Sequence, residues 1–326
     1  MRAGVPLGAK EGGTVSAGAT SRPGEPPEIV DAVRERSLLL GLSYRLLGSL
    51  ADAEDAVQET YIRWHRLSED ERRSIANPRG WLITTASRIG LDMLKTARAR
   101  REHYVGEWLP EPAPVADRWS SQGASSASDP AERATVGDSV EMALLIVLES
   151  MTPAERVVFV LHDVFAYTFV EIADIVGRTP AACRQLASAA RRRVRDHRRR
   201  PVPRDEHAAA VRSFKVAWQT GDLAGLMDVL DPGATAITDG GGLVSASLEP
   251  LHGAERIARF FVDVLTRQPD LTIHEEIVNG EPGLVATDRA DRTLAVLAFA
   301  TTNGGTIEQV WTVRNPQKLV MWHRAG

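Results

Sequence analysis

The period of the hydrophobic pattern changes once along this chain, and no single layered core accommodates both patterns. Up to the break at Pro201 and Pro203, apolar residues recur at helical spacing. Beyond it come two more helices (205–220 and 222–230) and then strand-like runs. These lie at 234–238, 243–247, 271–278, 283–288, 293–301 and 306–314, with one helix at 253–266 among them. An all-helical first part followed by an α+β part requires separate cores, and 326 residues suffice for them. At 43% hydrophobic and 25% charged residues, collagen-like, disulfide-scaffold and wholly disordered chains are excluded. Cys183 is the one cysteine, so intramolecular disulfides and multi-cysteine zinc clusters are excluded, and a reducing cytoplasmic location is expected. No stretch approaches the ~18 apolar residues of a membrane span. The N-terminus lacks the apolar core of a secretory signal. No membrane partner, metal or cofactor is expected.

Local signals divide the chain further. Residues 1–27, rich in Gly, Ala, Pro and Ser, read as a disordered tail or as sequence ahead of a later start codon. A first helical domain is expected over 28–105. Ile29, Val33, Leu40, Tyr44 and Leu47 mark its first helix, which Gly48 stops. Asp52 reads as the N-cap of the next helix, with Asp55 at N3. Ala53, Val57, Tyr61 and Trp64 form the buried stripe of that helix. Residues 66–76 read as a polar loop, and Asn77-Pro78 caps and opens a helix running to about Arg101. A linker over 106–137 is marked by Pro110, Pro112 and Pro114 and then by Ser120, Ser121, Ser125, Ser126 and Ser128. A second helical domain is expected over 138–200, with a capping box at Thr152–Glu155 and helices at 153–165, 169–176 and 180–198. Residues 205–326 form the third, α+β domain.

The net charge of -4 hides an asymmetry, because residues 184–204 hold nine Arg against one Asp. A basic block in an acidic protein is either a nucleic-acid footprint or a solvated helix face. The surrounding pattern favours nucleic acid. Helix 169–176 ends at Gly177, Thr179 caps the next helix and Pro180 takes N1. On that second helix Cys183, Leu186, Ala187, Ala190 and Val194 share a packing face, where Cys183 reads as a small core residue rather than a redox switch. Thr179, Ala181, Arg184, Gln185, Ser188, Arg191 and Arg192 remain for DNA. Arg184 and Gln185 suit guanine and adenine edges, and the arginine cluster suits phosphates. An ordinary helical hairpin with a basic face is the alternative.

Two separated blocks resemble a sigma factor of the extracytoplasmic-function type. Asp52-Ala-Glu-Asp-Ala-Val-Gln-Glu-Thr-Tyr-Ile-Arg-Trp64 resembles sigma regions 2.1–2.2. Asn77–Leu82 and Arg88–Lys95 resemble regions 2.3–2.4, and the helix-turn-helix resembles region 4. Trp108-Leu-Pro-Glu-Pro112, Asp239-Gly-Gly-Gly242 and Asn315-Pro-Gln-Lys-Leu319 narrow the resemblance to the SigJ-like group, whose members carry a fused SnoaL-like domain of the NTF2-like fold. Leu243, Gln317 and Leu186 depart from that group's usual Lys, Asp and Arg.

The resemblance implies a function for each part. Asp52, Asp55, Gln58, Glu59 and Arg63 would bind core RNA polymerase at the β′ clamp helices, and region 4 would lie against the β flap. Asn77, Arg79, Trp81, Thr84, Thr85, Arg88, Lys95 and Arg98 would capture the melted −10 strand of promoter DNA. Trp81 reads equally as a stacking wedge or as core. The −35 element would fall to the helix-turn-helix. Trp108, Leu109, Pro110, Glu111 and Pro112 would dock on the C-terminal domain. Asp239, Gly240, Gly241 and Gly242, with Asn315 and Pro316, would form the regulatory contact there. Without the resemblance, Asp239–Gly242 is most simply a tight strand-to-strand turn. A SnoaL-like cone can also hold an unknown small ligand or an active site. Asp228, Asp239, His252 and His274 are the available acid–base groups, but no catalytic motif joins them, and the chain is not expected to be an enzyme.

Overall fold

The computed structural model describes residues 27–101, 104–114, 140–197 and 202–323. Residues 1–26 of the expected N-terminal tail, the linker after Pro114, and Asp138 lie outside the described residues, while Pro27, expected in the tail, opens the first helix. The first helical group comprises α1 (Pro27–Leu47), α2 (Leu50–Arg66), α3 (Glu69–Ser74) and α4 (Pro78–Arg101). Gly48 ends α1 in a left-handed turn, with φ of +68°. Ser49, not Asp52, caps α2: its hydroxyl accepts from the Asp52 backbone N–H at 3.2 Å, which makes Asp52 the N3 residue. Burial of Leu50 draws the helix start three residues earlier than expected. The stripe Ala53, Ala56, Val57, Thr60 and Trp64 packs inward at i, i+3, i+4 and i+7 spacing. The expected loop at 66–76 contains α3, held by a Ser68–Glu71 capping box although it buries no residue. Asn77 caps α4, accepting from the Gly80 N–H at 2.9 Å.

The second group comprises α5 (Met142–Glu149), α6 (Pro153–Phe159), α7 (Phe169–Val176) and α8 (Pro180–His197). Capping boxes at Thr152–Glu155 and Thr168–Glu171 start α6 and α7. The helix expected at 153–165 changes at Val160 into a π-turn that ends at Val164. Gly177 links α7 to α8 at φ +65°, ψ +43°, a conformation glycine adopts without a Cβ penalty. Cys183, Ala187 and Ala190 are fully buried, while Leu186 and Val194 pack at the margin. One continuous apolar core runs through both helical groups.

The C-terminal domain begins with α9 (Arg204–Thr220) and α10 (Leu223–Val229). The strands β1 (Leu230–Asp239), β2 (Leu251–His252), β3 (Thr272–Val278), β4 (Glu281–Thr287), β5 (Thr293–Thr301) and β6 (Ile307–Val313) follow, with α11 (Ala254–Arg267) between β2 and β3. They form one mixed sheet in the order β2-β1-β6-β5-β4-β3, in which only β1 and β6 run parallel. This is the α+β architecture implied for a SnoaL-like domain. The expected strand at 243–247 is instead a turn and loop, and the two residues of β2 supply the sheet edge. Asp239–Gly242 therefore opens a long connection, 240–250, between the paired strands β1 and β2 rather than a tight strand-to-strand turn.

Both faces of this sheet are covered. Along β5, Ala295, Leu297 and Phe299 face the helices, while Val296 and Ala298 face away. On the helix side, Phe214, Trp218, Phe261 and Phe299 fill the interior with edge-on ring contacts 4.9–6.2 Å between centroids. The opposite side carries Val285, Val296, Trp311 and Val313. It is closed by Leu319 and Trp322 and by Leu109 and Met142 from the preceding segments.

Phe214→Ala is expected to destabilise the chain by about 3–5 kcal/mol in urea unfolding, because the cavity lies among rings that cannot collapse. Val216→Ala, on the exposed face of the same helix (60% accessible), should stay within about 0.5 kcal/mol. Equal losses would contradict this packing.

Candidate functional site

A strip of chain over 104–114 runs between the C-terminal sheet and the helical groups. At its start lies Asp239, fully buried at the end of β1. Its carboxylate accepts from the Leu109 N–H (2.9 Å) and the Tyr104 hydroxyl (2.6 Å), and it pairs with Lys318 Nζ at 2.6 Å. Lys318 also lies 4.0 Å from the centroid of the Trp108 ring, within cation–π range. Asn315 aims it: Oδ1 of Asn315 accepts from the Gln317 N–H, capping the 3₁₀ turn Pro316–Lys318, and Nδ2 donates to Tyr104 Oη at 2.9 Å. Gly241 has φ of +63°, and a Cβ there would collide with the Asn315 amide. Burial and the Asp239 bond both raise the Tyr104 phenol, with burial the larger cause. Neither group departure touches this contact: Leu243 is exposed, and Gln317 enters through its backbone N–H.

The far end of the strip binds the helical groups. Glu111 accepts from the Leu50 N–H (2.8 Å) and the Ser49 hydroxyl (3.2 Å), which sets a carboxylate at the positive end of α2. Burial pushes the Glu111 carboxyl up, and these donors pull it back down. The Glu111 carbonyl accepts from the Tyr44 hydroxyl at 2.6 Å, and the Pro112 carbonyl accepts from Trp322 Nε1 at 2.8 Å. Gly48 lets Trp108 approach, since a Cβ would lie 3.1 Å from the indole. Nearby, Arg156 donates to the Leu46 carbonyl (2.8 Å) and pairs with Glu149 (2.6 Å). Burial lowers its guanidinium to about 9, still charged at neutral pH. The partner that the resemblance implies for the strip is the C-terminal domain. The structure adds Gly48, Ser49, Leu50 and Tyr44. Lys318 sits inside the Asn315–Leu319 stretch, but nothing in the local pattern marks Tyr44, Tyr104, Arg156 or Trp322.

The candidate polymerase residues share the outer face of α2. Asp55, Gln58 and Arg63 are exposed, Asp52 and Glu59 half-buried, and Arg63 pairs with Glu59 at 2.8 Å. On α4 the −10 candidates are divided. Asn77 is spent on its cap. Arg79 pairs with Glu35 at 3.3 Å. Trp81 packs edge-on against Trp64, with centroids 5.3 Å apart. Thr84 and Thr85 are half-buried, and Lys95 pairs with Asp92. Arg88 donates to the Asp174 carbonyl of α7 at 3.0 Å, tying the two helical groups together. Arg98 lies in α4 with its side chain outside the described residues.

On α8, Ala181, Arg184, Gln185 and Ser188 form one exposed stripe, flanked by exposed Thr179 and Arg192. Arg191 pairs with Asp163 at 2.7 Å. The stripe is a protruding helix face of the kind that enters a major groove.

The acid–base candidates do not converge. Asp239 is held by the strip, Asp228 is exposed on α10, and His252 lies on edge strand β2. His274 lies on the opposite edge strand, β3, with four strands between them. Among the described residues, no group of His, Cys, Asp and Glu is arranged to hold a metal, and no helix is long and apolar enough to cross a membrane.

Comparisons with known proteins fall on these same parts. The family model for Sigma-70 region 2 matches residues 32–100, and that for Sigma-70, region 4 matches 141–194. The ECF RNA polymerase sigma factor SigJ of Mycobacterium tuberculosis is 35% identical over 297 residues, 87% of this chain and 90% of that protein. The probable ECF RNA polymerase sigma factor SigI of the same species is 35% identical over 286 residues, covering 87% and 92%. The crystal structure of M. tuberculosis SigJ superposes with a TM-score of 0.68 at 32% identity, covering 90% of this chain and 98% of that one.

Lys318→Ala is expected to cost about 3–5 kcal/mol in chemical denaturation, because it leaves Asp239 buried and unpaired. Asp239→Asn combined with Lys318→Met should recover most of that loss. Additive losses would show that the two do not act as a pair.

Proposed function

This chain belongs to the extracytoplasmic-function RNA polymerase sigma factors, and from that premise we propose how its three domains share the work of promoter-specific initiation. The α2 face of Asp52, Asp55, Gln58, Glu59 and Arg63 binds the β′ clamp helices of core polymerase. Asn77, Arg79, Trp81, Thr84, Thr85, Arg88, Lys95 and Arg98 of α4 and the turn before it serve the −10 strand. The α8 stripe of Ala181, Arg184, Gln185 and Ser188, with Thr179, Arg191 and Arg192, reads the −35 element beside the β flap. The protein works in the cytoplasm, where polymerase and promoters are. Its C-terminal domain acts in cis as a restraint, through Trp108–Pro112, Asp239–Gly242 and Asn315–Pro316, rather than as an enzyme. A tethered restraint needs only weak contacts, because its effective concentration is high. The aromatic filling between α9, α11 and the sheet supports a restraint more than a ligand cavity.

The observation that carries this reading is the contact of Arg88 with α7, in a form where the strip binds both the first helical group and the C-terminal domain. The −10 and −35 elements lie about 25 base pairs apart, or ~85 Å along the duplex. Two packed domains cannot reach both elements. The stretch from Pro114 to Val140 spans at most ~90 Å when extended. Separation is therefore possible without breaking either domain, and it requires the seam between α4 and α7 to open.

Two outcomes test the reading. Asp239→Asn in the full chain should raise affinity for core polymerase, because less of the population is held closed. Deleting residues 117–134 should leave core binding intact but abolish run-off transcription from promoters the full-length protein uses. Undiminished run-off from the shortened chain would overturn the opening, and unchanged core affinity would overturn the restraint. Separately, Arg184→Ala should cost about 1–3 kcal/mol at particular −35 base pairs in binding titrations; an equal loss on all sequences would make it a phosphate contact.

A further inference from the structure

One two-residue turn in the C-terminal domain touches three separate segments of the described chain. Asn279-Gly280 joins β3 to β4 between the paired residues Val278 and Glu281, with φ of +53° and +81°. Two positive φ values make it a type I′ hairpin turn, whose first position suits only Asn, Asp or Gly. Asn279 is 3% exposed, and its amide makes three hydrogen bonds. Oδ1 accepts from the Ala113 N–H at 3.1 Å, while Nδ2 donates to Tyr44 Oη at 2.8 Å and to the Val140 carbonyl at 3.0 Å. The Asn279 N–H also donates to the Ala113 carbonyl at 2.8 Å. The partners settle the orientation of the amide, because the Ala113 N–H can only donate and the Val140 carbonyl can only accept.

These partners have separate origins. Tyr44 belongs to sigma region 2, Ala113 ends the docked strip, and Val140 leads into region 4. The stretch 114–139 thus leaves from and returns to one side chain, and its length does not set the closed spacing of the two regions. The backbone and the partners together also dictate the residue. Glycine suits the turn but offers no side-chain bond, and an ionised aspartate offers no donor.

We propose that Asn279 couples region 2, the linker strip and the lead into region 4, so that the C-terminal domain releases them together rather than in turn. The physical reason is the cost of half-release. If one partner leaves, a buried donor or acceptor loses its bond while still shielded from water; if all leave, each is hydrated. This inference rests on the reading of the C-terminal domain as a restraint, but its test does not depend on transcription.

The test is amide hydrogen exchange of the full chain, read by mass spectrometry over 104–114, 140–149 and strands β4 and β5. Asn279→Gly keeps the turn and removes the amide. It should accelerate exchange in 104–114 and 140–149 together by about tenfold, the order expected for lost buried hydrogen bonds, with β4 and β5 unchanged. Tyr44→Phe leaves the turn untouched and supplies the same reading if Asn279→Gly also loosens β4. Its removed hydroxyl bonds Asn279 and Glu111, so acceleration at 140–149 is the expected sign of coupling through Asn279. Acceleration confined to one segment, or absent from both, would overturn the coupling. Joint acceleration with core affinity and run-off transcription unchanged would keep the coupling and overturn the restraint.

Discussion

A buried carboxylate with three donors organises the closed form of this sigma factor. Asp239 is removed from water, and Leu109, Tyr104 and Lys318 all bind it. A buried ion pair contributes little net stability, because desolvation offsets most of the attraction, yet it is costly to break by losing one side only. Those properties suit a reversible restraint. The strip holds firmly while every partner is present, and little stored energy has to be overcome when they part together. Trp108 adds an apolar cover over the lysine, excluding the water that would otherwise screen the pair.

The second requirement is a sheet with two apolar faces. One face packs on the helices of its own domain, and the other has no α-helix of its own among the described residues. Val285, Val296, Trp311 and Val313 are covered instead by Leu109, Met142, Leu319 and Trp322. The docked strip is therefore part of the domain's own core. Releasing the strip exposes apolar surface, which gives the closed form a hydrophobic component beside its polar one. The two sigma domains meanwhile share a single core of their own, so closure depends both on their mutual packing and on the sheet behind the strip.

Much of this was legible where the cause is local. Asn77-Pro78, Thr152–Glu155 and Gly177–Pro180 announce helix ends through their own side chains, and the helices begin or end there. Reading failed where burial elsewhere decides. Ser49 caps α2 instead of Asp52 because Leu50 is drawn into the core. The helix α3 buries nothing and so shows no periodicity. Residues 243–247 have the composition of a strand, but the positive φ values at Gly241 and Gly242 carry the chain off the sheet, and Leu251 and His252 take the edge. The residues singled out at 108–112, 239–242 and 315–316 come together in space, and they were noticed through motifs rather than spacing. Tyr44 and Asn279 carry no such mark. A tyrosine in a helical stripe and an Asn-Gly turn are each fully explained by local structure, and only the assembled chain reveals their second use.

The order of the domains along the polypeptide has a consequence in time. Both sigma domains and the strip leave the ribosome before any of the sheet that receives the strip. At translation rates of about 5–20 residues per second, the sheet that receives the strip is missing for on the order of ten seconds after the helix-turn-helix has emerged. During that interval the helical groups of a nascent chain have no sheet to pack against. Each newly made molecule thus passes through a stage in which the strip has nothing to dock on, and the contact forms only after the sheet has emerged.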